Sequence, residues 1–252
     1  MLNLTAIQYD IVWEDPDANR NLLEPIIADF GSSDVIILPE MFSTGFSINA
    51  EICEVPIGPS VQWMQRMSEK YDCAICGSIS TKLDDTYVNR FYWVDQDKVQ
   101  HYDKKHLFGY GKESEVFSAG DQHLIVEYKG WKIMPLICYD LRFPVWSRNT
   151  MNYDLLLYVA NWPDTRSSAW RQLLRARAIE NLCFVAGVNR IGIDGVGLNY
   201  IGDTSFIDYM GEEVKILKDE AAALNVSIDK EEMTKFRTKF SFLNDRDKFT
   251  LD

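Results

Sequence analysis

The stretch IMPLICYDLRFP, residues 133–144, gives the strongest indication of the fold. Its first five residues are apolar without interruption, which is typical of a strand that is covered on both faces of a sheet. Cys138 follows that run, and the residues after it predict a tight strand-to-helix turn, with PVWSRNTM (144–151) as the helix. Such a turn presents nucleophiles in hydrolases and directs backbone N–H groups at a reacting carbonyl. We therefore predict a buried strand that ends at a functional cysteine.

Two other segments place a reactive side chain at the end of a predicted strand. DVIILPE (34–40) is a second unbroken apolar run, and Glu40 ends it. VQHYDKK (99–105) predicts a further strand, and Lys104 lies at its end. Strand ends commonly carry catalytic groups because a rigid sheet fixes their position and the following loop leaves them accessible. The sequence thus supplies a thiol, a carboxylate and an amine in equivalent positions.

The rest of the chain alternates apolar runs with segments of helical periodicity. No Pro/Gly/Ser-rich linker, low-complexity tract or internal repeat divides it, so we expect one domain over residues 1–252. The alternation indicates an α/β fold with helices packed outside sheets. Further strands are predicted at 2–10, 73–79, 87–95, 124–140, 154–162, 183–191, 202–216 and 221–229, and helices at 19–30, 60–71 and 170–181.

Charge and hydropathy exclude several classes of partner. The formal net charge of −12 disfavours nucleic acid and anionic membranes, because both attract clustered Lys and Arg. The first residues, MLNLTAIQYDIVWEDP, do not resemble a secretion signal, and no apolar run reaches the roughly 18 residues of a membrane-spanning helix. We expect a cytoplasmic protein with a small-molecule substrate.

The five cysteines are too few and too scattered for a disulfide framework, so we expect reduced thiols. Cys73 and Cys76 form a CxxC pair, which occurs in redox proteins and in zinc sites. No second pair accompanies it, and the surrounding run DCAICGSIS is typical of a buried strand. The sequence predicts no metal site.

A thiol, a carboxylate and an amine in one pocket would provide a nucleophile, its base and a cation for the oxyanion, as acyl transfer from an amide requires. A Cys-His-Asp triad stays open at this point, because spacing alone does not exclude it. His106 lies two residues from Lys104, and His101 and His123 are the other histidines.

Candidate substrate-binding residues flank these segments. An amide with a remote carboxylate requires a fixed cation, and arginine binds carboxylates in a bidentate manner. Aromatic walls would exclude water and shape a small pocket. The candidate cations are Arg142, Arg166 and Arg171, and the candidate walls are Phe42, Phe46, Tyr139 and Trp162.

Three segments, LPEMFSTGF, YDKKHLFGYGKESEVFSAGD and ICYDLRFPVWSR, resemble the signature segments of the nitrilase (carbon-nitrogen hydrolase) superfamily. The resemblance continues through LLYVANWPDTRSSAWRQLLRARAIENLCFVAGVNRIG and GDTSFIDYMGE, so it covers nearly the whole chain. The words VANWP and RARAIEN are similar to the bacterial omega-amidase branch, whose members deaminate ω-amides of 2-oxo dicarboxylic acids.

The resemblance implies a four-layer α-β-β-α sandwich, a homodimer formed through outer helices, and catalysis without metal or organic cofactor. It assigns Cys138 as nucleophile, Glu40 as general base, Lys104 as oxyanion-stabilising cation and Glu113 as the acid that holds the lysine. The implied substrate is 2-oxoglutaramate or 2-oxosuccinamate. A nitrilase, an N-carbamoyl hydrolase, another aliphatic amidase and a non-catalytic binding module on the same scaffold remain alternatives.

Overall fold

The computed structural model describes residues 1–30 and 32–251. Its strands follow the apolar runs of the sequence closely. In chain order they are β1 (Leu2–Gln8), β2 (Val35–Ile37), β3 (Ala74–Leu83), β4 (Thr86–Asp95), β5 (Lys98–Asp103), β6 (Val126–Tyr128), β7 (Trp131–Ile137), β8 (Leu155–Ala160), β9 (Phe184–Asn189), β10 (Ile191–Ile193), β11 (Asn199–Ile207), β12 (Glu213–Lys218) and β13 (Ala222–Ile228).

The helices lie where the sequence has helical periodicity, and their ends carry recognisable caps. The Asp15 side chain accepts a 2.9 Å hydrogen bond from the Ala18 backbone N–H and begins the first helix. Leu182, in the left-handed region, ends the fourth. The helices are α1 (Pro16–Asp29), α2 (Pro59–Tyr71), α3 (Glu113–Val116), α4 (Ser167–Asn181) and α5 (Lys230–Lys239).

The strands form two sheets of mixed direction. The first has the order β13-β1-β2-β3-β4-β5, and the second has the order β10-β11-β9-β8-β7-β6 with β12 beside β11. The centre of each sheet is parallel, β1-β2-β3 in one and β7-β8-β9 in the other. Strands buried on both faces require unbroken apolar sequence, which explains the runs at DVIILPE and IMPLI.

Two hydrophobic cores hold four layers together. One core lies between the sheets and includes Leu4, Leu136 and Leu157, and it continues to Trp170 and Leu174 of α4 on the outer face of the second sheet. The other core joins the outer face of the first sheet to α1 and α2. The α-β-β-α sandwich predicted from the sequence is therefore confirmed.

The predicted helix at 144–151 is wrong. The chain instead forms a short 3₁₀-helix, Cys138–Arg142, directly after β7, and then a series of turns. Those turns are fixed by Asn149, whose side chain bonds the Tyr153 backbone and the Asn181 carbonyl. Asparagine favours such local hydrogen bonds to the backbone over a helix interior. The apolar pattern of residues 144–151 therefore predicted a helix that does not form.

The CxxC pair has the buried surroundings that the sequence predicts. Cys73 packs in the core beneath α1 and α2, whereas Cys76 packs in the core between the sheets. All five cysteines are free thiols. Because the two thiols lie on opposite sides of one sheet, this pair does not form a redox centre.

At the other end of the chain, Phe236 docks on Tyr209 with ring centres 5.2 Å apart, and Phe240 packs on Phe236. Phe242 extends this row but stays exposed. In the part of the chain that the structure describes, no helix is both long and apolar enough to cross a bilayer.

Candidate active site

A lysine and two glutamates form a fully buried cluster where the sheets meet. The Lys104 Nζ atom lies 2.9 Å from Glu40 Oε1 and 2.9 Å from each carboxylate oxygen of Glu113. All three side chains are 0% exposed. Lys104 follows β5 directly and Glu40 lies three residues after β2, so the ends of two strands of the same sheet bring them together.

The two carboxylates keep the lysine charged. Burial lowers the pKa of the Lys104 ammonium, but Glu113 and Glu40 outweigh burial and raise it above its usual value. Burial raises the pKa of Glu113, an effect that the Lys104 charge opposes. Lys105 has a different environment, because its ammonium lies 5.4 Å from the centre of the Trp146 ring.

Two asparagines also donate hydrogen bonds to the Glu40 carboxylate. Asn89 Nδ2 donates to Oε1 over 2.8 Å, and the Asn161 backbone N–H donates to Oε2 over 2.8 Å. The Asn161 side-chain amide also donates to the Glu40 backbone carbonyl over 2.6 Å. Glu40 thus accepts hydrogen bonds from residues of both sheets, which fixes its orientation.

Cys138 lies opposite this cluster at the end of β7. Its φ is +42°, a left-handed conformation that is rare for a residue with a side chain. The Sγ atom lies 3.9 Å from the Asn161 carbonyl oxygen. Burial raises the pKa of the Cys138 thiol well above its usual value, the Glu40 charge raises it further, and Lys104 opposes both. A thiol whose pKa is raised needs a base at the moment of attack.

The histidine that could have replaced this base serves another part of the structure. His106 Nδ1 lies 2.8 Å from Asp140 Oδ1, and the ring stacks on Phe143 with centres 3.7 Å apart. Asp140 also accepts hydrogen bonds from Tyr102 and from the Ile137 backbone N–H. His106 and Asp140 therefore brace the turn after Cys138, and the charged groups that act on the thiol are Glu40, Lys104 and Glu113.

A cavity of about 670 Å³ opens at Cys138 and Lys104. This volume is within the range of small-molecule sites. Of the residues proposed for substrate binding, Phe46, Tyr139, Trp162, Arg142 and Arg166 line it. The Arg142 guanidinium lies 4.8 Å from the Trp162 ring centre, and that of Arg166 lies 5.3 Å from the Phe108 ring centre.

Comparison with known proteins identifies this arrangement. The family model described as carbon-nitrogen hydrolase matches residues 3–238. The chain belongs to the carbon-nitrogen hydrolase family. An omega-amidase, YafV of Yersinia enterocolitica, is 42% identical over 252 residues, with 99% of this chain and 98% of that protein covered. A 2-oxoglutaramate amidase of Bacillus subtilis is 32% identical, with 96% of each covered.

A solved structure resembles this carbon-nitrogen hydrolase over its whole length. The protein XC1258 of Xanthomonas campestris, described as a CN-hydrolase superfamily protein with an arsenic adduct in its active site, superposes with a TM-score of 0.97. The two chains are 40% identical, and the superposition covers 100% of this chain and 99% of the other. Together with the omega-amidase relatives, the family identifies the chain as an amidase, an enzyme that acts on amides.

Two of the predicted substrate-binding residues of this carbon-nitrogen hydrolase lie elsewhere. Phe42 is fully buried and packs against Trp63 with ring centres 5.9 Å apart. Its prediction as a pocket wall is wrong, because its side chain packs in the core beneath α2 and does not line the cavity. Arg171 does not line the cavity either, because it lies on α4 in the outer helix layer, with its Nε atom 3.7 Å from Asp203 Oδ2 of β11.

Sequence reasoning missed several residues of the site. Asn161 follows β8 directly, so the strand-end argument that selected Cys138 applied to it equally. Asn89 had a weaker signal, a polar residue inside the aromatic and apolar strand β4. Tyr200 and Asp194 also line the cavity, and the Tyr200 hydroxyl donates to Asp194 Oδ2 over 2.8 Å. Those two lie in the short segment between the stretches VNRIG and GDTSFIDYMGE, outside both.

The acidic and thiol groups of the described residues do not gather as metal ligands do. Among residues 1–30 and 32–251, no three His, Cys, Asp or Glu side chains come together in a geometry that could hold a metal ion. The Glu40 and Glu113 carboxylates instead share an ammonium group.

Proposed function

We propose that this amidase removes ammonia from the ω-amide of 2-oxoglutaramate or 2-oxosuccinamate through a thioester on Cys138. One observation carries the choice of substrate: two guanidinium groups that have no protein carboxylate partner among the described residues line the same cavity as the thiol. A substrate with a carboxylate at the end remote from its amide would satisfy that pair of cations.

The arginines contrast with the other charged groups nearby. Arg90 pairs with Asp103 and Arg171 pairs with Asp203, so their charges are already balanced. Arg142 and Arg166 instead rest on aromatic faces, Trp162 and Phe108, which hold a planar guanidinium in place and leave its N–H groups free. The names of the relatives, an omega-amidase and a 2-oxoglutaramate amidase, support the same substrate class.

The first half of the reaction uses the buried cluster. Glu40 accepts the thiol proton as Cys138 Sγ attacks the amide carbon. The Tyr139 backbone N–H and the Lys104 ammonium stabilise the oxyanion that forms. The C–N bond then breaks, the proton held by Glu40 passes to the leaving nitrogen, and ammonia departs from an acyl thioester.

The lysine has the donors that this role requires. An ammonium carries three N–H groups. One reaches Glu40 Oε1, and the two oxygens of Glu113, which both lie at 2.9 Å, can share a second when substrate binds. The third N–H is then available to the substrate oxygen. Phe46 lies on the cavity side, with its ring centre 5.4 Å from Nζ.

The second half of the reaction restores the enzyme. Glu40 accepts a proton from a water molecule as that water attacks the thioester carbon. The C–S bond breaks, and the proton returns from Glu40 to the Cys138 thiolate. The product is the 2-oxo dicarboxylate, and no external oxidant or reductant takes part.

Ammonia release across a panel of substrates tests this function. The panel comprises 2-oxoglutaramate, 2-oxosuccinamate, an uncharged aliphatic amide of similar length, a nitrile and an N-carbamoyl amino acid. We expect kcat/KM for the 2-oxo ω-amides to exceed that for the uncharged amide by at least about 100-fold, because the uncharged amide offers no carboxylate to the unpaired arginines. We also expect it to exceed the values for the nitrile and the N-carbamoyl amino acid, whose reacting carbon is not that of a carboxylic amide. Higher kcat/KM for the nitrile, the carbamoyl compound or the uncharged amide would assign a different member of the same chemistry.

The thioester can be observed directly. Mixing enzyme with 2-oxoglutaramate and quenching in acid within milliseconds should leave the acyl group on the peptide that contains Cys138, as mass spectrometry would show. Rapid ammonia release without any acylated Cys138 peptide would contradict a covalent route.

We also propose that the chain forms a homodimer through its outer helix layer. Ile179 of α4 and Met210 and Val214 beside it are large apolar side chains that remain exposed on that face. Sedimentation at micromolar concentration tests the proposal, and a monomer mass would reject it.

A further inference from the structure

Asn89 is a buried polar residue in the middle of β4, in a strand that is otherwise largely apolar. It is 0% exposed, and it pairs across the sheet with Ser80 of β3. Unlike Glu40, Lys104 and Cys138, it does not lie at the end of a strand. Asn89 does not line the cavity, and its side-chain amide contacts the charged cluster instead.

This one residue contacts all three residues of the cluster, the two glutamates through their carboxylates and the lysine through its backbone. Its Nδ2 atom donates to Glu40 Oε1 over 2.8 Å and to Glu113 Oε1 over 3.1 Å. Its backbone carbonyl accepts the Lys104 backbone N–H over 3.0 Å. The two N–H bonds of a planar amide diverge at a fixed angle, so they set the separation of the two carboxylates that they hold.

The rest of the Asn89 side chain has no matching partner. Its Oδ1 atom is buried and accepts no hydrogen bond among the described residues. A buried acceptor without a partner is destabilising, and a side chain that only filled space would not carry that cost. The function of the amide therefore lies in its two N–H groups.

We propose that Asn89 is a positioning residue that holds Glu40 and Glu113 apart around Lys104. Without its two N–H groups, both Oε1 atoms would depend on the Lys104 ammonium, which would then be drawn between them. The N–H that faces the substrate oxygen would be lost to the carboxylates, and Glu40 would turn away from the thiol. This inference rests on the catalytic roles proposed above for Glu40, Lys104 and Cys138.

Two variants remove these donors in different ways. Asn89→Leu has a similar volume and no polar group, and we expect kcat to fall by 10- to 100-fold with KM changed by less than threefold, because substrate contacts are intact. Asn89→Asp keeps the shape but places a third carboxylate beside Glu40 and Glu113. Like charges favour protonation of the introduced carboxyl group, which can then donate one hydrogen bond.

The pH dependence separates positioning from simple packing. We expect the kcat of Asn89→Asp relative to the parent to rise at least fivefold as pH falls from 8.5 to 6, because protonation restores a donor. The deficit of Asn89→Leu should stay constant over that range. A deficit of Asn89→Asp that does not vary with pH, or parental kcat in both variants, would overturn the proposal.

Alkylation of Cys138 provides a readout that does not depend on which amide is the natural substrate. Iodoacetamide modification, followed on the Cys138 peptide, should show the same pH-dependent recovery in Asn89→Asp. Asn149→Asp is the matched control, since Asn149 is equally buried and its amide donates to two backbone carbonyls away from the cavity. That control should lower thermal stability but keep the parental pH profile of alkylation. An equal shift in the control would assign the effect to general loosening and overturn the proposal.

Discussion

The inner wall of the cavity, Lys104 with Glu40 and Glu113 behind it, differs from the cavity mouth in burial and in hydrogen bonding. At the inner wall, Lys104, Glu40 and Glu113 are fully buried, and each is held by several hydrogen bonds. At the mouth, Tyr110 is 89% exposed and Val196 is 71% exposed. A group with several partners in a buried site cannot move alone, whereas an exposed one can. We therefore expect the inner wall to keep its side chains in place and the exposed residues of the mouth to adjust to a bound substrate.

The two regions also differ in the secondary structure that supplies their residues. The inner wall combines residues from the ends of β2 and β5 of one sheet with Cys138 and Asn161 of the other. The mouth consists mainly of loops, among them the 191–200 hairpin and the segment around Tyr110. Sheets packed through a common core hold their strand ends at a constant distance, which loops do not.

The largest loss should follow removal of the proposed nucleophile, Cys138. Cys138→Ala should reduce ammonia release by at least about 10⁴-fold, because no thioester can form. The melting temperature should change by only a few degrees, since alanine fills most of the same space in the same backbone conformation. Cys183→Ala is the matched control, a buried cysteine away from the cavity, and it should keep its turnover. Residual activity of Cys138→Ala near the parental level would reject the assignment.

A charge removed from the inner wall should lower both activity and stability. Lys104→Met leaves two buried carboxylates without their cation, and breaking a buried ion pair in this way costs about 3–5 kcal/mol. Loss of an oxyanion donor should lower kcat by about 10²–10³-fold. Lys105→Met is the control, because that lysine lies over Trp146 and contacts neither glutamate. Urea unfolding and kcat measured on both variants test the difference, and equal behaviour would remove the distinction between the neighbouring lysines.

Charges removed from the mouth should change selectivity alone. Arg142→Met and Arg166→Met should each raise KM for a 2-oxo ω-amide by about tenfold, equivalent to about 1.4 kcal/mol, and leave kcat within threefold. The free energy of unfolding should fall by no more than about 1 kcal/mol, because each guanidinium gives up only a cation–π contact and has no carboxylate partner among the described residues. With an uncharged amide, the variants and the parent should have equal KM. A drop in kcat without a change in KM would place these arginines in the chemistry instead.

The smallest expected effect is that of alkaline pH on turnover. The pKa of the Cys138 thiol and that of the Lys104 ammonium are both raised, so both groups keep their protons as pH rises from 7 to 9. We expect kcat to vary by less than about twofold over that range. A fall with a midpoint near 8.5, where an ordinary thiol ionises, would show that the resting cysteine is not held protonated.

The sequence predicted the parts of the site that obey a local rule. Cys138, Glu40 and Lys104 each end an apolar run, and the structure places all three at strand ends. Phe42 was misplaced because Met41, at φ +44°, begins a turn after Glu40, and the side-chain pattern does not show which residues of that turn enter the core. Asn89 was missed because its partners are distant in the sequence: Glu40 is 49 residues away and Glu113 is 24 residues away.

The left-handed backbone of Cys138 has a consequence for the evolution of this chain. A φ of +42° is unfavourable for any residue with a β-carbon, by about 1–2 kcal/mol, whereas glycine adopts it freely. Selection for conformational stability alone would therefore favour glycine at position 138, whereas selection for turnover would favour cysteine there. With Cys138 as the proposed nucleophile, stability and activity favour different residues at this one position.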